Sequence, residues 1–181
     1  NDVAGRVVRR EVNDVRRAVE KHLRKRSAED FKTWLDGFYK DFPAVVRDNF
    51  EAMMLTYAAA MAKEVAGELG KDNQGVTEDL RKFVREYLDN LGKAHAAGNR
   101  HQIEALIDEA PLTGDDPAQL ISERLDSWEE TRSGDMADHQ SFEAGNALSI
   151  AIYAASGIKF LRWATSGKSC PFCQRMNGKI A

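Results

Sequence analysis

Apolar residues recur at steps of three and four over most of the first 157 residues, and that period commits the chain to helices before anything else is weighed. In the first segment Val8, Val12, Val15, Val19 and then His22 or Leu23 form a narrow seam on a helix otherwise covered by charge. Such a seam calls for a partner helix. Ser27 is placed to cap a second helix, with Asp30 three residues later as in a capping box. Phe31, Trp34, Leu35, Phe38, Tyr39 and Phe42 follow as an aromatic stripe, and Pro43 suits the first turn of a third helix. That helix carries Val46, Phe50, Met53, Met54, Tyr57 and Met61 to about Leu69 and stops at Gly70. The Met and aromatic stripe reads as packed core. Thr77 can cap a fourth helix, with Leu80, Phe83, Val84, Tyr87, Leu88 and Leu91 inward, closed by Gly98. A brief fifth helix spans His101 to Ala110. The strongest breaker cluster is Pro111 to Pro117, which sets a domain boundary between residues 1–112 and 113–181. Two more helices, Ala118 to about Thr131 and about Asp135 to Ser156, lead to Gly157.

From Ile158 the texture changes. Ile158 to Thr165 is short, β-branched and aromatic and precedes a turn-like Ser166-Gly167-Lys168-Ser169, so it reads as a strand. Asn177-Gly178 before Lys179-Ile180 is a hairpin turn signal, which makes the second strand begin where the chain stops. The expected fold is therefore mainly α, a multi-helix bundle with a long N-terminal helix and a small C-terminal β-hairpin that carries the CxxC and is expected to be cut short. No apolar run reaches the ~18 residues needed to span a bilayer, so no membrane partner is expected. No fixed-period repeat supports a solenoid.

The net charge of −3 hides an asymmetry, because residues 1–26 hold nine Lys or Arg against four Asp or Glu. Arg9, Arg10, Arg16, Arg17, Lys21, Arg24, Lys25 and Arg26 cover the first helix away from its seam. A solvated face is the ordinary reading, and a face for DNA phosphates or an acidic protein surface the functional one. It has no interleaved aromatics, so contact with nucleic acid would be with phosphates and would weaken with salt.

The two cysteines, Cys170 and Cys173, form a CxxC that can hold half of a tetrahedral zinc site, exchange disulfides, or be two ordinary thiols. Redox chemistry would want a strand before the first Cys and a helix after the second, in a βαβ setting. The sequence predicts a turn after Cys173 instead. Zinc would need further ligands beyond Ala181, because His22, His95, His101 and His139 lie on helices well upstream. His139 and Glu143 lie four apart, more simply an exposed i,i+4 contact than an acid–base pair. GxSxG, HExxH and Walker-type motifs are absent from the sequence.

The stretch Phe142-Glu143-Ala144-Gly145-Asn146-Ala147, the apolar helix to Gly157-Ile158, Leu161-Arg162-Trp163, Gly167-Lys168-Ser169-Cys170-Pro171-Phe172-Cys173 and Met176-Asn177-Gly178-Lys179-Ile180 form one ordered pattern. It resembles the Mu F-like phage head morphogenesis family of minor capsid proteins over about residues 120–181. Met176-Asn177-Gly178 stands where that family usually has Leu-Asp-Gly, and the His/Cys-rich box that commonly follows is absent. The resemblance implies a protein of the virion, made in the host cytoplasm. It would be encoded near the portal protein and act in capsid assembly and DNA packaging or delivery through portal, capsid or scaffold contacts. It implies no turnover of a small molecule. Glu143, Gly145, Asn146, Gly157, Trp163 and Gly178 carry the pattern, and several have plain structural roles. Gly145 allows close helix packing, Gly157 a helix end, Gly178 a positive φ, and Trp163 an anchor for the strand. Two other readings stand beside this one: a thiol-disulfide oxidoreductase with Cys170 as nucleophile and Cys173 as resolving thiol, and a stand-alone nucleic-acid-binding protein acting through the first helix.

Overall fold

A computed structural model describes residues 2–25, 27–72, 75–165 and 169–180. Six helices follow in chain order: α1 (Asp2–Ala18), α2 (Ala28–Glu68), α3 (Glu78–Thr113), α4 (Pro117–Ser127), α5 (Ser133–Ala155) and α6 (Pro171–Met176). A π turn, Val19–Leu23, extends α1, and a second, Trp128–Arg132, joins α4 to α5 without a break.

The start signals in the sequence act as expected. Ser27 accepts the Asp30 N–H at 3.1 Å and Thr77 accepts the Leu80 N–H at 3.3 Å, which satisfies N–H groups the helix cannot pair internally. The stop signals inside the long helices do not act. The expected second and third helices are one, with Pro43 inside α2, and the expected fourth and fifth are one, with Gly98 and Pro111 inside α3. A proline in a helix interior costs ~3 kcal/mol and a glycine ~1, so packing must outweigh them.

That packing is the α2–α3 pair. Lys32 with Asp108, Asp36 with Arg100, Arg47 with Asp89 and Glu51 with Arg85 form ion pairs in antiparallel register along its length. At its middle the backbones nearly touch. A Cβ on Gly92 would lie 2.8 Å from both the Cα and the carbonyl oxygen of Pro43, so only glycine admits the proline-bearing segment. The helix with the missing N–H is thus held where its partner has no side chain.

The N-terminal seam is covered by the molecule itself. Val8, Val12, Val15 and Val19 are buried, together with Ala4, Val7 and Ala18, which widens the seam to a broad apolar face. The partner that the seam calls for is supplied within the chain. The apolar side of α1 packs against α2, α4 and α5, and the His22 ring stacks on Trp34. The core is continuous across the short 114–116 turn between α3 and α4: Ile121, Leu125 and Leu148 join the same buried cluster as Val12, Phe31 and Leu88. No described helix is long and apolar enough to cross a membrane.

The C-terminal hairpin is also corrected. Among the described residues there is no strand, only one isolated antiparallel bridge between Arg162 and Ile180. The Trp163 N–H donates to the Lys179 carbonyl and the Gly178 N–H to the Trp163 carbonyl, each at 2.8 Å. The turn signal at Asn177-Gly178 ends α6 rather than linking two strands. Gly178 has φ +79° there, and the chain returns for a single rung. Ser166, Gly167 and Lys168 lie outside the described residues.

Candidate functional site

Beneath the first helix lies a polar constellation. Glu11 stands three residues after Val8 and four before Val15, on the apolar seam, and is 0% exposed. Its Oε1 accepts the Tyr39 hydroxyl at 2.8 Å and the Asn99 amide at 2.6 Å, while its Oε2 pairs with His95 Nε2 at 2.8 Å. With Nε2–H donating to Glu11, the 2.9 Å approach of the Asn99 amide to the same nitrogen is a contact between two donors. Phe42 stacks on the far face of His95. Arg132, on the second π turn, holds its guanidinium 3.8 Å from the Trp128 ring centroid, a cation–π arrangement.

Burial works to raise the Glu11 carboxyl. The hydrogen bond and attraction from His95 and the bonds from Asn99 and Tyr39 outweigh it, so the group lies below the ordinary carboxylate range. Burial and then the Glu11 charge push the Tyr39 hydroxyl far above its usual value. Burial pulls the Arg132 guanidinium down, while Glu11 and Tyr39 hold it up. The inventory resembles an acid–base site, but Glu11 and Asn99 are sealed from solvent and cannot meet a substrate. The cluster ties α1 to α2 and α3 at one register. Sequence periodicity carried its one available signal, a glutamate at a seam position, and the reading above passed over it.

The predicted basic face of α1 is largely spent on the protein itself. Arg10 and Arg17 pair with Asp14 and Arg24 with Glu20, and Arg16 reaches Glu129 at 2.8 Å and also Asp126 on the α4 side. Arg9, Lys21 and Lys25 are exposed and form no ion pair among the described residues. Arg26 lies outside the described residues. Four of the eight expected cations are therefore paired, three of them within their own helical segment, and Arg16 alone links α1 to a neighbouring element.

The residues carrying the family-like pattern fall in two places. On α5, a Cβ added to Gly145 would stand 3.2 Å from the Tyr57 hydroxyl, the close approach expected of it. His139 Nδ1 and Glu143 Oε2 are 3.4 Å apart on the exposed side, and Asn146 is exposed between Phe142 and Ile150. Gly157, at φ +85°, ends the helix, with the Ile158 N–H returning to the Tyr153 carbonyl at 3.0 Å. Trp163 does not anchor this segment on the helices. It is 45% exposed and outside the core, and its backbone bonds with Gly178 and Lys179 set its place.

Beyond α5 stand the described residues 158–165 and 169–180, whose helix α6 touches none of the other described helices and buries no side chain. The sequence reading put a turn directly after Cys173, whereas α6 runs through it to Met176 before the turn: Cys170 caps α6, Pro171 opens it and Cys173 sits in its first turn. Both thiols are free, and the Cys173 N–H points at Cys170 Sγ at 3.5 Å. That N–H lowers the Cys170 thiol, and the neighbouring Cys170 sulfur raises Cys173. Among the described residues no group of three or more His, Cys, Asp or Glu side chains is placed to hold a metal ion, so the pair offers two ligands only.

An apolar cavity of about 430 Å³ lies between α1, α2, α3 and α5 and is lined by Phe50, Met54, Tyr57 and Leu88 among others. Tyr87 donates to Gln140 there at 2.9 Å and Ser141 to the Ala137 carbonyl at 2.7 Å. Comparison of the chain with family models, with curated proteins and with solved structures finds no match.

Proposed function

We propose that the chain is a phage or prophage minor head protein that acts in capsid assembly and DNA packaging or delivery by docking on portal or capsid subunits. The observation that carries this reading is the outer face of α5. It bears the family-like residues Phe142 to Ala147 and leaves Phe142 78% and Ile150 58% exposed, eight residues apart on one stripe. Large apolar side chains left in water on a rigid helix suit a protein partner better than catalysis. The buried Glu11 cluster ties α1 to α2 and α3, and α5 packs on α1 and α2 of that same bundle. In this reading the protein resides in the virion after assembly in the host cytoplasm, and zinc enters only if a partner or further chain completes the Cys170 and Cys173 pair.

The genes on either side supply the first test, with portal and terminase genes expected there. Mass spectrometry of purified particles then has to find the protein in the heads at a few copies per portal. Its absence from the particles, or a locus without head genes, rejects the proposal.

A further inference from the structure

The C-terminal unit differs in chemistry from the rest of the chain. Between Ile158 and Ile180 the sequence has five Lys or Arg and no Asp or Glu, in a protein of net charge −3. One of the five, Lys168, lies outside the described residues. The other four, Lys159, Arg162, Arg175 and Lys179, are exposed and form no ion pair among the described residues. They contrast with the arginines of α1, most of which are paired to nearby carboxylates.

Exposed rings are interleaved with these cations. Phe160 is 71%, Phe172 57% and Trp163 45% exposed. Phe160 follows Lys159, Trp163 follows Arg162, and Phe172 precedes Arg175 by one helical turn. The Arg162–Ile180 bridge and the two Trp163 backbone bonds bring the Lys159–Trp163 segment beside Lys179 and the end of α6. Rings and charges from two separated stretches thus share one small unit that stands off the bundle.

We infer that the described residues 158–165 and 169–180 form a binding platform for single-stranded nucleic acid. Unpaired cations follow the phosphates, and Phe160, Trp163 and Phe172 stack on bases that a duplex would keep within its own stack. Charge complementarity favours a polyanion over a neutral protein surface, since no carboxylate of the unit competes for the cations. The platform is a different surface from the α5 face, and its binding can be measured on the purified chain whether or not that chain is a head protein.

The test is fluorescence anisotropy with labelled 20-nucleotide oligo-dT, oligo-rU and a duplex of the same length, from 50 to 300 mM salt. Binding to the single strands at least ~10-fold tighter than to the duplex is expected, DNA and RNA differing little because stacking and phosphate contact are common to both. Four phosphate contacts give a log–log salt slope of about −3, and changing Lys159, Arg162, Arg175 and Lys179 to Gln removes most of it. Each of Phe160→Ala, Trp163→Ala and Phe172→Ala weakens binding by about 5-fold to 100-fold. Their circular dichroism stays that of the parent, because the three side chains lie outside the core. Changing Arg9, Lys21 and Lys25 to Gln leaves binding within ~2-fold.

Failure to bind at 50 mM salt overturns the inference. So does binding that ignores the ring substitutions or favours the duplex, which would be phosphate attraction alone. Binding by the same residues to phosphatidylserine vesicles, with none to the oligonucleotides, also overturns it and assigns the unit to an anionic lipid surface.

Discussion

Replacing Glu11 by Ala removes the acceptor on which three buried donors converge. The Tyr39 hydroxyl, the Asn99 amide and His95 Nε2 lose partners at 2.8, 2.6 and 2.8 Å in a region closed to water. A hydrogen bond to a charged group contributes ~1.5–3 kcal/mol, and a buried donor left without its acceptor costs a further ~1–3 kcal/mol. The three bonds share one carboxylate and do not add in full, so a loss of about 3–5 kcal/mol is expected, a large part of the ~5–15 kcal/mol that holds a domain together. Glu11→Gln keeps an acceptor and the shape and is expected to lose less, about 1–3 kcal/mol.

Urea unfolding followed by helix ellipticity measures both, and pH gives a second handle. The Glu11 carboxyl is lowered from the ordinary value of 4.5, so its contribution is complete above that value and is lost as pH falls through the folded pKa. The parent protein should therefore lose stability below pH 4.5 more steeply than Glu11→Gln. An alanine variant within ~0.5 kcal/mol of the parent, with the same acid limb, would refute the view that this cluster fixes α1.

Three further outcomes follow from local geometry. Gly92→Ala gains helix propensity of ~1 kcal/mol but drives a Cβ to 2.8 Å from the Pro43 backbone. A net loss of ~1–3 kcal/mol in urea unfolding is expected, whereas at Gly98, with open space around it, the same change is neutral or stabilising. Arg16→Ala removes the link to Asp126 and Glu129 and should lower stability by ~0.5–1 kcal/mol, an effect that fades in 0.5 M salt. Cys170, lowered by the Cys173 N–H, should react with iodoacetamide at a lower pH than Cys173, as read by peptide mass spectrometry. Equal rates would remove any distinction between nucleophile and resolving thiol.

Helix starts were legible because caps are local: Ser27 and Thr77 satisfy N–H groups within three residues of themselves. Helix continuity was not legible, because it was decided at long range. Nothing near Pro43 in sequence announces Gly92, yet that glycine is what lets α2 run on unbroken. Gly98 looked like a stop, but the register of α3 against α2 continues past it to Asp108. The seam of α1 was legible as apolar. That it is closed by α2, α4 and α5, and that a glutamate on it meets a tyrosine, a histidine and an asparagine, depends on three helices meeting. At the C-terminus the turn residues were read correctly, with Gly178 at φ +79°. The helix between the turn and Cys170 was missed, since a six-residue helix holds too few apolar positions to show a period.

The most direct measurement is co-expression of the chain with the portal protein that the proposed function expects in a neighbouring gene, followed by size-exclusion chromatography with mass determination. Docking through the outer face of α5 predicts a stable complex that is lost in the Phe142→Asp, Ile150→Asp double variant, while that variant alone keeps its helical content and unfolding midpoint. A portal that elutes without the chain, or a complex indifferent to both substitutions, contradicts it.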